Sequence, residues 1–199
     1  MHGQEAILPL RELQIKGSTM ITCIAFLRGI NVGGHKKIKM ADLRLLLEGM
    51  GYKDVMTYIQ SGNVVFKSEV KDHTKHQNQI SEAIKNHYGF EVPIMVKTRT
   101  EIKKILDNNP YNDPEDLVSN KIYFVLLQEK PQKEDIETTS TIIFENEKFI
   151  ITPECVFIRY DLGAGKAKCG INFFESKLKV ATTSRNYRTM TKLLELSSN

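Results

Sequence analysis

The stretch Ile21-Thr-Cys-Ile-Ala-Phe-Leu-Arg-Gly-Ile-Asn-Val-Gly-Gly34 joins a short apolar run to a glycine-rich loop. The apolar run has the length and composition of a buried β-strand. Glycine in the loop permits sharp backbone turns and lets several N–H groups point the same way. We therefore predict a buried strand as the first element of the fold and a candidate site in the loop that follows it.

The elements that follow this strand complete the order βαββαβ. The apolar periodicity predicts, in turn, a helix over residues 40–50, strands over 55–59 and 64–66, a helix over 80–87 and a strand over 92–97. This order is typical of a ferredoxin-like fold, in which two helices cover one face of an antiparallel sheet. Thr98 and Glu101 have the spacing of a capping box, which predicts a connecting helix after the last strand.

A second set of elements follows a run of turn-forming residues at 108–114. The predicted elements are a strand over residues 122–127, a weak helix over 132–139, strands over 149–152 and 156–160, a helix over 173–178, a strand over 180–183 and a closing helix with an apolar stripe of Tyr187, Met190, Leu193 and Leu194. We expect an α+β protein with two ferredoxin-like βαββαβ halves, antiparallel sheets with helices on one face, and a C-terminal helix. The predicted domains span residues 20–109 and 115–199.

The composition is that of a soluble globular protein, with 41% hydrophobic and 26% charged residues in 199. A net charge of +4 is well below that of a dedicated nucleic-acid binder. No apolar run reaches the roughly 20 residues that cross a bilayer, so we expect a cytoplasmic protein without membrane contact. Cys23, Cys155 and Cys169 are too few for a disulfide framework and suit reduced thiols. Residues 1–19 share no periodicity with the rest, and we interpret them as an added leader; a native helix over residues 5–15 is the alternative.

The loop after the first strand carries the first group of candidate ligand-binding residues, which are Arg28, Asn31, Gly33, Gly34, His35 and Lys36. Their cationic side chains and backbone N–H groups favour an anion. Gly29 and Gly34 have the spacing of a nucleotide-binding P-loop, but His35 and Lys36 stand where that motif needs Lys and Ser or Thr. The alternative interpretation is a surface loop with solvated lysines.

A second cationic group lies near the C-terminus. Arg185, Arg188 and Lys192 recur at helical spacing, which predicts a cationic face on the closing helix, with Thr183 or Ser184 as its cap and Asn186 beside it. An ordinary polar helix face is the alternative. The glycine and lysine turn at residues 163–168 predicts either a further anion-binding nest or a plain hairpin end.

A third motif, Ser61-Gly-Asn63, lies at the tip of the predicted first hairpin, where Ser61 and Asn63 are candidate binding residues and a purely structural turn is the alternative. His73 and His76 with Asp72 are the best metal-like cluster, and the pattern is too weak to predict a metal. No catalytic residue, cofactor or oligomeric state is predicted. An RNA-recognition sheet is disfavoured because Asn63 and Val65 occupy the positions of its stacking aromatics.

The sequence resembles the bacterial family called domain of unknown function 1697 in three segments, Leu27–Gly34, Thr57–Val65 and Thr183–Leu193. The resemblance runs from about Met20 to Leu196 and implies two ferredoxin-like halves, but no activity and no cofactor. The family motif positions that it carries over are Arg28, Gly29, Asn31, Gly33, Gly34, Ser61, Gly62, Asn63, Arg185, Asn186 and Thr189. Tyr187 replaces a tryptophan of the family pattern, and Ala167 replaces a serine, which weakens a phosphate site in the 163–168 turn.

These observations lead to one functional hypothesis and three alternatives. The hypothesis is a binding protein that holds an anionic, phosphorylated small molecule in a cleft between the two halves, lined by all three motifs. The first alternative is a nucleic-acid-binding module that uses the basic loops as a phosphate track. The second is an enzyme of unknown reaction, and the third is a purely structural or partner-binding role.

Overall fold

The computed structural model describes residues 19–198, so residues 1–18 of the predicted leader lie outside the described part of the chain. The strands are β1 (Ile21–Leu27), β2 (Lys53–Tyr58), β3 (Asn63–Ser68), β4 (Ile94–Thr98), β5 (Ile122–Leu127), β6 (Glu147–Ile151), β7 (Cys155–Tyr160) and β8 (Thr182–Asn186). The helices are α1 (Met40–Gly49), α2 (His73–Tyr88), α3 (Arg99–Asp107), α4 (Pro114–Val118), α5 (Lys133–Ser140), α6 (Ile171–Leu178) and α7 (Tyr187–Leu196).

The strands form two antiparallel four-stranded sheets of the same topology. Their strand orders are β2-β3-β1-β4 and β6-β7-β5-β8, so the first and third strands of each half lie at its centre. Together with the helix positions, this order is that of the βαββαβ ferredoxin-like fold. The predicted fold class, two such halves and a C-terminal helix, is confirmed.

Each sheet has an outer face that two helices cover. In the first half, Ala25 and Phe66 pack with Leu43 of α1 and Ile80 of α2. In the second half, α5 and α6 take the equivalent places over residues such as Val125. The two-residue alternation of each strand sends one set of apolar side chains to these helices and the other set to the opposite face.

The opposite, inner faces of the two sheets share one core. Ile24 and Phe26 of the first sheet cluster there with Phe124 of the second, together with Ile102 of α3 and Met190 of α7. Helices α3 and α7 follow the last strand of each half and pack against each other. The space between the halves is therefore largely filled by apolar side chains, and the division into independent domains near residue 110 stays a prediction.

The ends of two helices bear on the candidate site. The predicted capping box of α3 is confirmed, since Thr98 and Glu101 each bond the other's backbone N–H. The predicted start of the last helix was wrong: β8 pairs with β5 as far as Asn186, whose side chain caps α7 by accepting from the Thr189 N–H. Arg185 is consequently a strand residue and does not share a helix face with Arg188.

Helix α4 was not predicted, although Asp113 caps it and Pro114 occupies its first turn. Within residues 19–198, no helix is long and apolar enough to cross a membrane.

Candidate anion-binding site

Residues of the three sequence motifs meet where the two halves join. Arg185 on β8 of the second half reaches the end of β1 and the β2–β3 turn of the first half. Arg28, just after β1, reaches in the opposite direction to Glu175 on α6. We call this group of Arg28, Ser61, Asn63, Glu175 and Arg185 the inter-half joint.

Arg185 uses its whole guanidinium group inside the protein. Nε donates to Asn63 Oδ1, and one terminal nitrogen donates to Thr183 Oγ1 at 3.0 Å and to the Ser184 carbonyl at 2.8 Å. The other terminal nitrogen donates to the carbonyls of Leu27 at 3.0 Å and Ser61 at 3.2 Å. These acceptors match the five N–H donors of arginine, so the side chain connects the two halves.

The acceptors around Arg185 are all neutral. Burial lowers the pKa of this guanidinium to about 10, because no carboxylate compensates the cost of removing the charge from water. The guanidinium also lies over the Phe26 ring, 5.4 Å from its centroid, where the electron-rich face attracts a cation. With its donors occupied, Arg185 has none left for a ligand in this arrangement.

Arg28 is also engaged. It forms an ion pair with Glu175 and donates to Asn172 Oδ1 at 3.2 Å and to the Thr182 carbonyl at 3.3 Å. Burial acts to raise the pKa of the Glu175 carboxyl, but the hydrogen bonds from Arg28 and from the Thr182 N–H outweigh it and hold that pKa below its usual value. The charge of Arg28 is therefore largely compensated within the joint.

The loop between β1 and α1 is held by Asn31. This residue adopts a left-handed backbone with φ of 55°, and its side chain accepts from the Ile38 N–H and donates to the carbonyls of Ile38 and Gln60. Asn31 thus closes the loop on itself and attaches it to the β2–β3 turn. Asn31 therefore has a structural role in the loop, independent of any ligand.

Gly62 explains why the β2–β3 turn can approach β1. Its carbonyl accepts from the Leu27 N–H at 2.7 Å. A methyl group at this position would lie 2.6 Å from Leu27 Cβ and 3.0 Å from the Leu27 carbonyl oxygen, and the backbone φ of 79° also favours glycine. The approach places the buried Asn63 side chain under Arg185.

A surface pocket of about 690 Å³ opens between this loop and the start of α1. It is lined by Asn31, Gly34, Lys37, Ile38, Lys39, Met40, Ala41, Asp42, Gln60 and Tyr88. We call it the loop pocket. Lys37 and Lys39 are exposed there, and within residues 19–198 no hydrogen bond or ion pair engages their ammonium groups. Only Asp42 brings negative charge.

Two further features of the loop pocket suit an anion. Lys39 precedes α1 with an extended backbone, and its side chain does not cap the helix. The first backbone N–H groups of α1 therefore have no side-chain cap as acceptor and can donate to a ligand. The Tyr88 hydroxyl is buried in the wall and has no hydrogen-bond partner among the described residues. Burial and the nearby Asp42 raise the pKa of this hydroxyl, which stays a protonated donor.

Most of the other candidate residues lie apart or are occupied. Gly33, Gly34 and His35 form the exposed tip of the loop, where Gly34 also lines the loop pocket, and Lys36 donates to the Glu91 carbonyl at 2.7 Å. On α7, Lys192 pairs with Glu195 and Arg188 is exposed. Within the described chain, no hydrogen bond or ion pair links Arg188 or Lys192 to the joint.

The turn at residues 163–168 leads into two backbone N–H groups that already bind an internal anion. The buried Glu147 carboxylate accepts from the N–H groups of Lys168 at 2.6 Å and Cys169 at 3.0 Å. Burial acts to raise the pKa of Glu147, but these hydrogen bonds prevail and lower it. These two N–H groups are therefore occupied by Glu147 and are not available to an external phosphate.

The three cysteines and His76 lie in the cores. All three cysteines are free and buried, and burial raises the pKa of Cys23 to about 11, so its thiol stays protonated. His76 lies between the Tyr52 hydroxyl and the Val70 carbonyl. In the described residues, no group of three His, Cys, Asp or Glu side chains is placed to hold a metal ion.

Sequence reasoning missed Glu175 and Tyr88 as parts of these sites. Lys37 and Lys39 were recognised as cations of the basic loop that lines the predicted site, but they were not among the individual candidate residues. Glu175 and Tyr88 carry no local signal, since only tertiary packing brings them to the joint and to the loop pocket.

A family model described as Protein of unknown function (DUF1697) matches residues 20–157, more than half of the chain. The chain belongs to this family. The match includes the loop and turn segments of the resemblance and stops before Arg185. Among curated proteins, none matches the chain.

A solved structure supports the same fold. The conserved bacterial protein SP0830 from Streptococcus pneumoniae superposes with a TM-score of 0.66 and 24% sequence identity, over 90% of this chain and 100% of that one. At this identity the similarity establishes the fold alone. DUF1697 membership and this fold carry no ligand with them, so function has to be argued from the site.

Proposed function

We propose that this DUF1697 protein binds a small phosphorylated anion in the loop pocket, beside the inter-half joint. The observation that carries the proposal is the combination of unpaired donors around one pocket. Lys37 and Lys39 supply charge, the start of α1 supplies backbone N–H groups, and the Tyr88 hydroxyl has no internal acceptor. A phosphate group accepts hydrogen bonds from all three kinds of donor.

The two arginines of the inter-half joint do not line this pocket, but the joint holds the β2–β3 turn to which the loop is attached. Arg185 and Arg28 are occupied by internal acceptors, whereas Asn31 reaches both places, since it lines the loop pocket and fixes the loop to the turn that Arg185 holds. The ligand position that we propose therefore lies between the β1–α1 loop and the start of α1, and not in the cleft between the halves that the sequence predicted. The size of the pocket, about 690 Å³, lies within the range of small-molecule sites.

The test is a thermal-unfolding screen with pyrophosphate, sugar phosphates, nucleotides and a short single-stranded oligonucleotide. A ligand at 100 times its Kd stabilises the folded state by about 2.7 kcal/mol. For a chain of this size that corresponds to a rise in Tm of roughly 5 to 11 °C. Lys37→Gln combined with Lys39→Gln should remove the shift, and Tyr88→Phe, which deletes only the hydroxyl, should reduce it.

Lys148→Gln is the matched control for the lysine changes, because Lys148 is an exposed lysine on β6 of the other half. It should leave the ligand-induced shift unchanged. A panel without any stabilising compound, or a shift that survives the double lysine change, would refute the proposal. Binding of the oligonucleotide alone, with steep loss between low and moderate salt, would instead support the nucleic-acid alternative.

A further inference from the structure

A second pocket lies between the two halves, with Lys97 in its wall. It has a volume of about 660 Å³ and receives Lys97 and Ile105 from the first half and Pro153 and Phe157 from the second. We call it the Lys97 pocket. None of the three sequence motifs contributes to it, and its lining shares no residue with the loop pocket.

Lys97 occupies a position that the strand pattern reserves for apolar residues. On β4 it follows Met95 by two residues, so both side chains lie on the inner face, and Lys97 pairs across the sheet with the fully buried Ile24. Met95 and Ile24 belong to the core that the halves share. The lysine therefore brings an ammonium group to the edge of an apolar layer.

The Lys97 charge has no direct partner. Among residues 19–198, no carboxylate lies within ion-pair distance of its ammonium, and no acceptor forms a hydrogen bond with it. The two carboxylates of the pocket are engaged elsewhere: Glu101 accepts from Thr98 in the capping box, and Glu154 lies 3.8 Å from Lys104. Burial lowers the pKa of Lys97, and this effect exceeds the opposing influence of Glu101 and Glu154.

The lining thus combines apolar walls with a half-buried cation that has no anionic partner among the described residues. Ile105, Pro153 and Phe157 offer contact area to a hydrocarbon chain or ring. The exposed Lys130 adds a second cation that no described residue pairs with, so positive charge remains after the internal pairs are subtracted. An ion with both an apolar body and one negative end satisfies each part of this lining.

We propose that the Lys97 pocket binds a small organic carboxylate, with its apolar body against Phe157 and Ile105 and its carboxylate on the Lys97 ammonium. The alternative is structural: the lysine stem packs on the core while its ammonium reaches water through the pocket. The two differ in one respect. Only the first requires the charge of Lys97 for binding.

The experiment uses octanoate as the probe, with 1-octanol and octylamine as ligands of equal chain length and different charge. Titration calorimetry with the full chain should detect octanoate and give much weaker or no binding for the other two. Lys97→Met retains the apolar stem and removes the charge. It should weaken octanoate binding by about 10- to 100-fold, the effect of losing one hydrogen bond between charged groups.

Lys103→Met is the matched control, because Lys103 lies on α3 outside the pocket and pairs with Asp107. It should bind octanoate as the wild type does. Chemical shifts of backbone amides on octanoate addition should change around Ile105 and Phe157 and not around Met40, which lines the loop pocket. Equal octanoate affinity of wild type and Lys97→Met, equal binding of 1-octanol, or no octanoate binding at all would overturn the proposal without bearing on the loop pocket.

Discussion

Arg185→Lys tests whether the inter-half joint holds the two halves together. The substitution keeps the positive charge but replaces five N–H donors on three nitrogens by three donors on one nitrogen. In the wild type, three of the five acceptors belong to the first half: Asn63 Oδ1 and the carbonyls of Leu27 and Ser61. The guanidinium N–H groups point outward in one plane to five acceptors spread around its edge, and the three donors of a single ammonium cannot serve all five, so at least two acceptors lose their donor.

Water can replace the donor at the exposed Ser61 carbonyl, so at least one part-buried acceptor stays unpaired. Each such acceptor costs about 1 to 3 kcal/mol, so we expect the free energy of unfolding to fall by at least about 1 kcal/mol. For a chain of this size, the Tm should decrease by at least about 2 °C. Calorimetry and urea unfolding measure both quantities.

Arg188→Lys is the matched control for this substitution. Arg188 is exposed on α7, where the same chemical change should alter the free energy of unfolding by no more than about 0.5 kcal/mol. If Arg185→Lys and Arg188→Lys unfold at the same urea concentration, the guanidinium contacts of Arg185 do not stabilise the joint and the reasoning is wrong.

Two further predictions concern stability. Gly62→Ala should lower the free energy of unfolding by more than about 1 kcal/mol, because its Cβ would overlap Leu27 at 2.6 Å and the backbone φ is 79°. The control is Gly165→Ala, where a Cβ meets open space at an ordinary φ. Equal urea midpoints of the two variants would contradict the prediction. Glu147→Gln should reduce the decrease in the free energy of unfolding that occurs as the pH falls. The folded pKa of Glu147 lies below the unfolded value of about 4.3, so its contribution is present above that pH and is lost as the pH falls through the lower folded pKa. Urea midpoints between pH 7 and pH 3 should therefore decrease less steeply in the variant, and parallel curves would exclude this role of Glu147.

The fold could be predicted from local patterns because each element carries its own signal. Apolar spacing places α1 and α7 within a few residues of their observed bounds, and Gln60–Asn63 marks the β2–β3 turn. The error at Arg185 had a tertiary cause. Its helical spacing to Arg188 is genuine, but pairing of β8 with β5 extends the strand through Asn186 and delays the helix.

The sequence by itself determined the order of the strands and of the helices other than α4, and the polar motifs at the ends of β1, β3 and β8. Those properties depend on neighbours within a few residues, which hydrophobic periodicity, capping and turn residues record directly. Only the tertiary structure decided which polar groups are free. Asn63 lies 122 residues from Arg185 in the chain, and Arg28 lies 147 from Glu175, so nothing local shows that these cations are already partnered. Packing within the first half buries the Tyr88 hydroxyl without an acceptor, and the contact between the two halves brings Lys97 to the edge of the shared core.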